Sequence, residues 1–414
     1  MQRIILHFDM NSYFASVEQQ ANPRLRGRPV GIAATLAPGG CMIATSKEAK
    51  AQGIVTGMRV KDGLAINPKL IVVEVDPPKY QSTTERIFGI VAEYAEDIEP
   101  YSIDEAFVDL TGTARDLDEA VAIVETLKRR VHDEVGDWLT CSAGIAWTRW
   151  LAKFASDTAP KGGLIVLTPE RLPGYLAGRG VTEAWGIAKG LERRLHSLGI
   201  MTLEELRAYP VTNLVEVLGV KGYELWANVN GIELGGVQAP AQPKSVGHTH
   251  VLRVRTTDAL FHRGVLMKLC EKTGRRLRQL GLEAHGLAAF ANCVERPYAP
   301  MREAFSCGGH RLLQRGVTSS REIYQLAWSL LELELRGLTA VWLGVTTYRL
   351  APRSNQLTLW PMANHTVVEE AVDEINERYG AYVVQWGAMA GMRKHAPERI
   401  GFRKTVDIPN PTAP

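Results

Sequence analysis

Three carboxylates carry the chemistry in this sequence. Asp9 ends the alternating run Ile4-Ile5-Leu6-His7-Phe8, and Asp104-Glu105 stand in a turn between two further extended runs, about 97–102 and 106–111. Acids packed together repel strongly unless a cation neutralises them, and hard oxygen ligands suit Mg²⁺, with Mn²⁺ able to substitute. Two such ions about 3.5–4 Å apart activate a sugar 3′-hydroxyl and stabilise a departing pyrophosphate. Acids at turns are common on any surface, so this chemistry requires a fold that brings the three together.

The elements around them supply one. The first run reads as a strand ending at Asp9 and is followed by a helix, roughly Phe14 to Gln20. A small segment from Asn22 to about Pro77 is punctuated by Gly and Pro, as in Leu36-Ala-Pro-Gly-Gly40. After the two runs flanking Asp104-Glu105, Leu117, Val121, Val124, Leu127, Val131 and Val135 form one apolar stripe on a long helix. A strand at 139–146, a short helix from Trp150 and a strand at 163–167 complete the unit. The order β-α-β-β-α-β is the ferredoxin-like plan, interrupted after its first helix. Its first and third strands lie side by side, so Asp9 is expected to meet Asp104-Glu105.

Residues 169–236 read as short helices with glycine turns, and 237–243 as a linker. From Lys244 a second strand/helix module is expected: a strand to Val254, a helix about 257–280, strands near 286–295 and 302–308, a helix 319–335 and a strand 338–349. The tail from Ala351 holds one more helix, about 366–379.

A chain of 414 residues with 45% apolar and 22% charged residues is expected to be globular with several domains. Its net charge is +3, yet residues 244–353 hold 17 Lys and Arg against 8 Asp and Glu, a basic module on an acidic body. That is the footprint of a polyanion partner. No apolar run has the length of a membrane span, and no signal-peptide layout opens the chain, so a cytoplasmic protein without membrane contact is expected. The cysteines, Cys41, Cys141, Cys270, Cys293 and Cys307, are odd in number and never spaced as CxxC. They read as small buried hydrophobes in a reducing compartment, not as a disulfide framework or zinc knuckle.

Longer words surround the acids. His7-Phe-Asp9-Met-Asn-Ser-Tyr-Phe14-Ala-Ser-Val-Glu18, Tyr101-Ser-Ile-Asp104-Glu105-Ala-Phe-Val-Asp-Leu-Thr111, and the pair Cys141-Ser-Ala-Gly-Ile-Ala146 and Leu151-Ala-Lys-Phe-Ala-Ser-Asp157 resemble, in order and spacing, the three motifs of the Y-family translesion DNA polymerases, of the bacterial polymerase IV/V kind. The resemblance extends more loosely over about residues 1–350. It implies an α+β, multidomain right-hand polymerase: a ferredoxin-like palm (1–20 and 78–168), small fingers (21–77), a helix-hairpin-helix thumb (169–236), the linker, an α/β little finger (244–350) and the tail (351–414). It implies low-fidelity, template-directed DNA synthesis past damaged bases, with primer-template DNA and dNTP as partners.

The same resemblance assigns residues. Asp9, Asp104 and Glu105 are the catalytic acids, holding metal together with the Met10 carbonyl. Phe14 matches the position whose ring lies under the nucleotide sugar and collides with a 2′-hydroxyl; Tyr13 is beside it. The fingers of the family carry a Tyr and an Arg that grip the triphosphate, and the matching positions here are Lys47 and Lys50. They share a helix face but lack the planar fork of Arg. The family's Lys-Pro is inverted to Pro160-Lys161, leaving Lys161 as the expected triphosphate contact. Ala34, Cys41 and Ile43 are expected over the nascent base pair.

Val181-Thr-Glu-Ala-Trp-Gly186-Ile-Ala188-Lys189-Gly190-Leu resembles a helix-hairpin-helix, with Ala188 where a second glycine is usual, and its amides are expected on a phosphate. Leu218-Gly-Val-Lys221-Gly222 resembles a second, poorer one. Arg263, Lys268, Lys272, Arg275, Arg276 and Arg278 make the 257–280 helix basic, as a backbone contact or as a solvated face. Gln356, Leu357, Leu359 and Trp360 resemble the short peptide by which bacterial replication proteins dock on the sliding clamp. The rival classes are a catalytically silent scaffold, a palm-fold nucleotidyl cyclase and a DNA-binding adaptor.

Overall fold

Burial on both faces marks the first strand as the centre of a sheet. In this computed structural model, which describes residues 3–238, 242–354 and 365–397, the run becomes β1 (Ile5–Met10), followed by α1 (Tyr13–Ala21). The chain divides into two units, residues 1–241 and 242–398.

In the first unit, the Gly- and Pro-punctuated segment folds as β2 (Val30–Ala33), β3 (Met42–Thr45), α2 (Lys47–Lys50), α3 (Val60–Ile66) and β4 (Ile71–Glu74). This is a separate sheet, ordered β3-β2-β4, over a small core of Ala33, Met42, Ala49, Ile54, Val60 and Leu70. A helix not anticipated from the sequence follows, α4 (Pro77–Ala92). Its signals were present: Asp76 caps it, Pro77 opens it, and Tyr80, Thr84, Ile87 and Val91 recur at helical spacing. Then come β5 (Ile98–Pro100), β6 (Glu105–Asp109), α5 (Leu117–Arg130), which runs on into a π-turn at Val131–Val135, β7 (Cys141–Ala146), α6 (Arg149–Thr158) and β8 (Leu164–Val166).

The main sheet is ordered β5-β6-β1-β7-β8. β1 is antiparallel to both neighbours. Leu6, Phe8 and Met10 join one core with Ile87, Val91, Val124 and Leu127, while Ile5 joins another with Leu151 and Phe154 of α6. Side chains alternate along a strand, so His7 and Asp9 share the α6 face with Ile5. Gly144 on β7 lets α6 come this close: a Cβ there would strike the Ala152 carbonyl and the Ser156 amide.

Residues 172–229 form short helices, α7 (Leu172–Leu176), α8 (Lys189–Ser197), α9 (Leu203–Ala208), α10 (Val211–Leu218) and α11 (Val220–Val229). Their leucines share the core of Trp150 and Phe154. Trp147 Nε1 donates to the Gly231 carbonyl at 2.8 Å, and the Arg149 amide to Glu233 at 2.7 Å, fastening the bundle to the start of α6.

The second unit repeats β-α-β-β-α-β: β9 (Ser245–Val251), α12 (Ala259–Gln279), β10 (Leu282–Val294), β11 (Phe305–Val317), α13 (Ser320–Leu331) and β12 (Thr339–Pro352). The sheet is ordered β11-β10-β12-β9 and is antiparallel throughout. β11 extends well past the expected 302–308. It is an edge strand exposed over most of its length, so Ser306, Gly308, His310 and Arg311 give no apolar alternation to read.

The tail helix, α14 (His365–Tyr379), corrects one expectation. On the basic face of α12, Arg263 stays exposed, but Lys268, Lys272 and Arg278 are neither solvated nor free for sugar–phosphate. Lys268 Nζ donates to the Met392, Arg393 and His395 carbonyls at 3.3, 3.2 and 2.6 Å, and Lys272 Nζ to Pro397 at 3.0 Å. Arg278 is clasped by Glu369 at 2.8 Å and Asp373 at 2.7 Å. α14 is thus amphipathic in the inverted sense: it buries Glu369, Asp373 and Asn376 and leaves Val367, Val368, Ile375 and Tyr379 exposed. Periodicity identifies a polar face but not what will cover it. Among the described residues, no helix is long and apolar enough to cross a membrane.

Candidate active site

The carboxylates converge through strand register. Asp9 on β1 pairs across the sheet with Glu105, the first residue of β6, and with Ser142 on β7. The Met10 amide donates to the Asp104 carbonyl at 2.9 Å, which holds the turn before β6 against the end of β1.

The three acids are not equivalent. Burial, then the charges of Asp104 and Glu105, push Asp9 up to about 8. Burial and Glu105 likewise raise Asp104, although its carboxylate accepts a hydrogen bond from Ser102 Oγ. Glu105 goes the other way. Burial opposes its ionisation, but the His7 contact and the Lys153 charge outweigh this and draw it down to about 2. Lys153 Nζ stands 2.7 Å from Glu105 Oε2 and 3.1 Å from Asp157; His7 Nε2 stands 3.3 Å from the same Glu105 oxygen. His7 is fully buried, which lowers it to about 4 and keeps it neutral, and its Nδ1 lies 2.5 Å from Ser156 Oγ.

Asp9 and Asp104 fit a hard divalent cation, because the repulsion and burial that raise both are what a bound cation reverses. Among the described residues, no three His, Cys, Asp or Glu side chains stand as a ready-made ligand set, and Glu105 turns one oxygen to Lys153. His7, Lys153, Ser156 and Asp157 were missed as site residues. They stood inside the quoted motifs, and the i, i+4 spacing of Lys153 and Asp157 places both on one face of α6.

The turn between β1 and α1 shapes the rest. Ser12 takes a left-handed conformation (φ 50°) at the helix N-cap without a side-chain cap. Phe14, in the first turn, is 9% exposed and stacks on Tyr80 with ring centres 4.3 Å apart. Tyr80 is in turn anchored by its hydroxyl to Glu18 at 2.9 Å. The ring therefore has a fixed backing. Tyr13 points elsewhere: its hydroxyl donates to the Tyr80 carbonyl at 2.9 Å and lies 2.8 Å from Thr84 Oγ1.

The two fingers lysines diverge although they share a turn. Lys50 Nζ donates to Ser12 Oγ at 2.9 Å. Burial and then Lys161 lower its pKa, while Asp9 and Asp104 oppose this. Lys47 Nζ instead lies over the Trp138 ring, 4.8 Å from its centre. Aromatic packing has taken the charge that sequence assigned to the triphosphate. The inverted Pro160-Lys161 sits in a turn closed by the Gly163 amide on the Pro160 carbonyl at 2.7 Å, and Ser142 Oγ donates to that carbonyl at 3.3 Å. Lys161 is left exposed at its apex.

In the helical bundle, Gly186 adopts φ 90° between the 3₁₀ turn Val181–Glu183 and α8. Ala188 is the N-cap and supplies no side-chain cap, and Ala188, Lys189 and Gly190 are exposed. Gly219 (φ 63°) makes the second such turn, between α10 and α11. Gln356, Leu357, Leu359 and Trp360 lie outside the described residues.

Two family models match the chain: the impB/mucB/samB family over residues 8–157 and its C-terminal domain over 243–359. DNA polymerase IV 1 of Bacillus subtilis is 30% identical over 97% of both chains. DNA polymerase IV of Pelotomaculum thermopropionicum is 31% identical over 92% of this chain and 94% of its own. Among solved structures, a Y-family DNA polymerase chimera of Dbh and Dpo4 superposes with a TM-score of 0.73 at 24% identity, covering 84% of this chain and 98% of that one. An insertion ternary complex of Dbh DNA polymerase gives 0.59 at 23% identity, covering 83% and 98%. The motifs around Asp9 and Asp104-Glu105, the register that joins them and these likenesses agree, and the chain belongs to the Y-family DNA polymerases, the impB/mucB/samB family.

Proposed function

We propose that this chain extends a primer 3′-hydroxyl with deoxynucleotides past damaged template bases, through two divalent cations held by Asp9, Asp104, Glu105 and the Met10 carbonyl. The observation that carries the reading is the pairing of Asp9 with Glu105 across β1 and β6, with Asp104 alongside and with Asp9 and Asp104 both raised by burial and by their acidic neighbours. Bound there, the cations supply the Lewis acidity that activates the hydroxyl and stabilises the pyrophosphate.

The protein's own side chains do the rest. Lys153 and His7 hold Glu105 through one oxygen, leaving the other to face the reactants. Lys50 and Lys161 receive the triphosphate charge, and Phe14, braced by Tyr80, excludes a 2′-hydroxyl. The sheet of β1, β5–β8 acts as palm, the β2–β4 sheet as fingers, the α7–α11 bundle as a thumb whose open amides at Lys189 and Gly190 meet DNA phosphate, and the second unit as little finger. Primer extension on a template with one damaged base tests the reading. Mg²⁺-dependent synthesis past the lesion is expected, and DNA binding without extension would reduce the chain to an adaptor.

Lys50→Ala is expected to raise KM for nucleotide more than it lowers kcat, since ground-state triphosphate binding is lost. Lys47→Ala, by contrast, is expected to leave KM near the parent value, because its ammonium is spent on Trp138. Steady-state kinetics on both variants decides, and equal effects would mean that Lys47 leaves the ring when nucleotide binds.

The tail adds a partner. Gln356, Leu357, Leu359 and Trp360 are proposed to dock on the bacterial sliding clamp, the glutamine making polar contacts and the three apolar side chains filling a pocket. Tethering raises the local concentration of an enzyme with few sequence-specific contacts. Alanine at all four positions is expected to abolish clamp-stimulated synthesis and spare basal extension on short primers. Equal loss of both would make the segment part of the fold.

A further inference from the structure

Two of the five cysteines meet. Cys293 on β10 and Cys307 on β11 project from the same face of paired antiparallel strands as diagonal neighbours, two residue pairs apart in register, with Cys293 opposite Phe305 and Cys307 opposite Ala291. Their sulfurs are 3.3 Å apart. Separation along the sequence is fourteen residues, and the strands bracket a connection that carries the fully projecting Tyr298. The other three stand apart from this pair: Cys141 and Cys270 are buried, Cys41 is exposed, and all are free thiols.

We propose that Cys293 and Cys307 form a redox-reversible cross-strand disulfide, with a peroxide as the oxidant and a dithiol as the reductant. The pair divides the work as such a step requires. Cys293 is fully buried in the core beneath α12 and α13, while Cys307 on the edge strand is half-buried and reachable from solvent. The Cys307 thiolate attacks the peroxide O–O bond, forming the Cys307 sulfenic acid and releasing hydroxide. The Cys293 sulfur then attacks the sulfenic sulfur, expelling the second oxygen as water with the Cys293 proton. Two thiols and one peroxide give one disulfide and two waters, and a dithiol returns both protons and both electrons.

The hydrogen bond between the two sulfurs draws Cys307 below the usual thiol range, against the opposing pull of burial and of Glu334 nearby. By the same bond Cys293 is raised, as suits the resolving partner. Burial raises Cys141 to about 12 and also raises Cys270, so these two remain inert thiols. Closing the link would tie the edge strand β11 to β10 covalently, a cross-link that restricts the unfolded chain.

The test treats the full-length protein with hydrogen peroxide, blocks remaining thiols by alkylation and maps the peptides by mass spectrometry, with and without dithiothreitol. The expected result is a cross-linked peptide pair containing residues 293 and 307, lighter by two hydrogen atoms, that dithiothreitol restores. Cys307→Ser, at the half-buried position, is expected to melt like the parent under reductant and to yield no cross-link. In Cys293→Ala, Cys307 is expected to run on to sulfinic and sulfonic acids for want of a partner. The oxidised parent should melt several degrees higher than the reduced one, a rise absent in Cys307→Ser. Free alkylation of both cysteines after peroxide, or oxidation confined to Cys41, would overturn the proposal.

Discussion

Asp9→Asn is expected to abolish primer extension while leaving the metal-free fold as stable as before, or more so. The loss should reach at least ~1,000-fold, because cation stabilisation of the transferring phosphoryl group is worth several kcal/mol and each ~1.4 kcal/mol is a factor of ten. The stability half follows from the direction of the shift. Asp9 is raised from 3.8 to about 8 by burial and by two acidic neighbours. A raised group adds stability that is fully present below the unfolded pKa and is lost as pH climbs through the folded one. The cost of ionising Asp9 therefore grows between pH 3.8 and about 8, and a neutral Asn escapes it. Thermal melts of both proteins across that range, with chelator present, should show the parent falling behind the variant as pH rises.

Glu105→Gln makes the informative contrast. Its carboxylate already has a cation in Lys153 and the His7 imidazole 3.3 Å away, so removing its charge should cost stability as well as activity. An Asp9→Asn protein that unfolds as readily as Glu105→Gln would show that the metal-site reading mistakes a structural acid for a functional one. Near-normal turnover in either variant would remove that assignment altogether.

Phe14→Ala is expected to admit ribonucleotides, shifting the ribo-to-deoxy ratio of kcat/KM by roughly 10–200-fold, the range over which one apolar contact alters discrimination. The shift should arise on the ribonucleotide side, since the ring objects only to the 2′-hydroxyl. Truncating a stacked, buried ring also carries a stability cost, up to about 3–5 kcal/mol. Tyr80→Leu separates the two effects: it removes the backing of Phe14 and should relax selectivity partially while leaving the ring in place. An unchanged ratio in Phe14→Ala would mean that sugar selection lies elsewhere.

The lysines show where local sequence stops informing. Lys47 and Lys50 are indistinguishable by type and spacing, and one turn of helix carries both. Yet one reaches Ser12 beside the acids and the other lies on Trp138, ninety-one residues further along. Tyr13 and Phe14 diverge similarly: adjacent aromatics, one hydrogen-bonded to Thr84 through its hydroxyl, the other stacked on Tyr80. Such choices depend on which distant element arrives alongside, and no window of the sequence contains it.

What the sequence determined by itself was whatever repeats at short range. Alternation marked β1, helical spacing marked α5 and α12, the order of elements implied a ferredoxin-like sheet, and that topology alone brought Asp9 to Asp104 and Glu105. Tertiary structure decided the partners. It turned Glu105 towards Lys153 and His7, laid residues 365–397 over a helix face that read as free and basic, and set two cysteines fourteen residues apart within contact across a hairpin. The physical reason is one of range. Backbone periodicity is written in neighbours a few residues apart, whereas the charge, hydrogen bond or ring that meets a side chain comes from wherever the chain next passes.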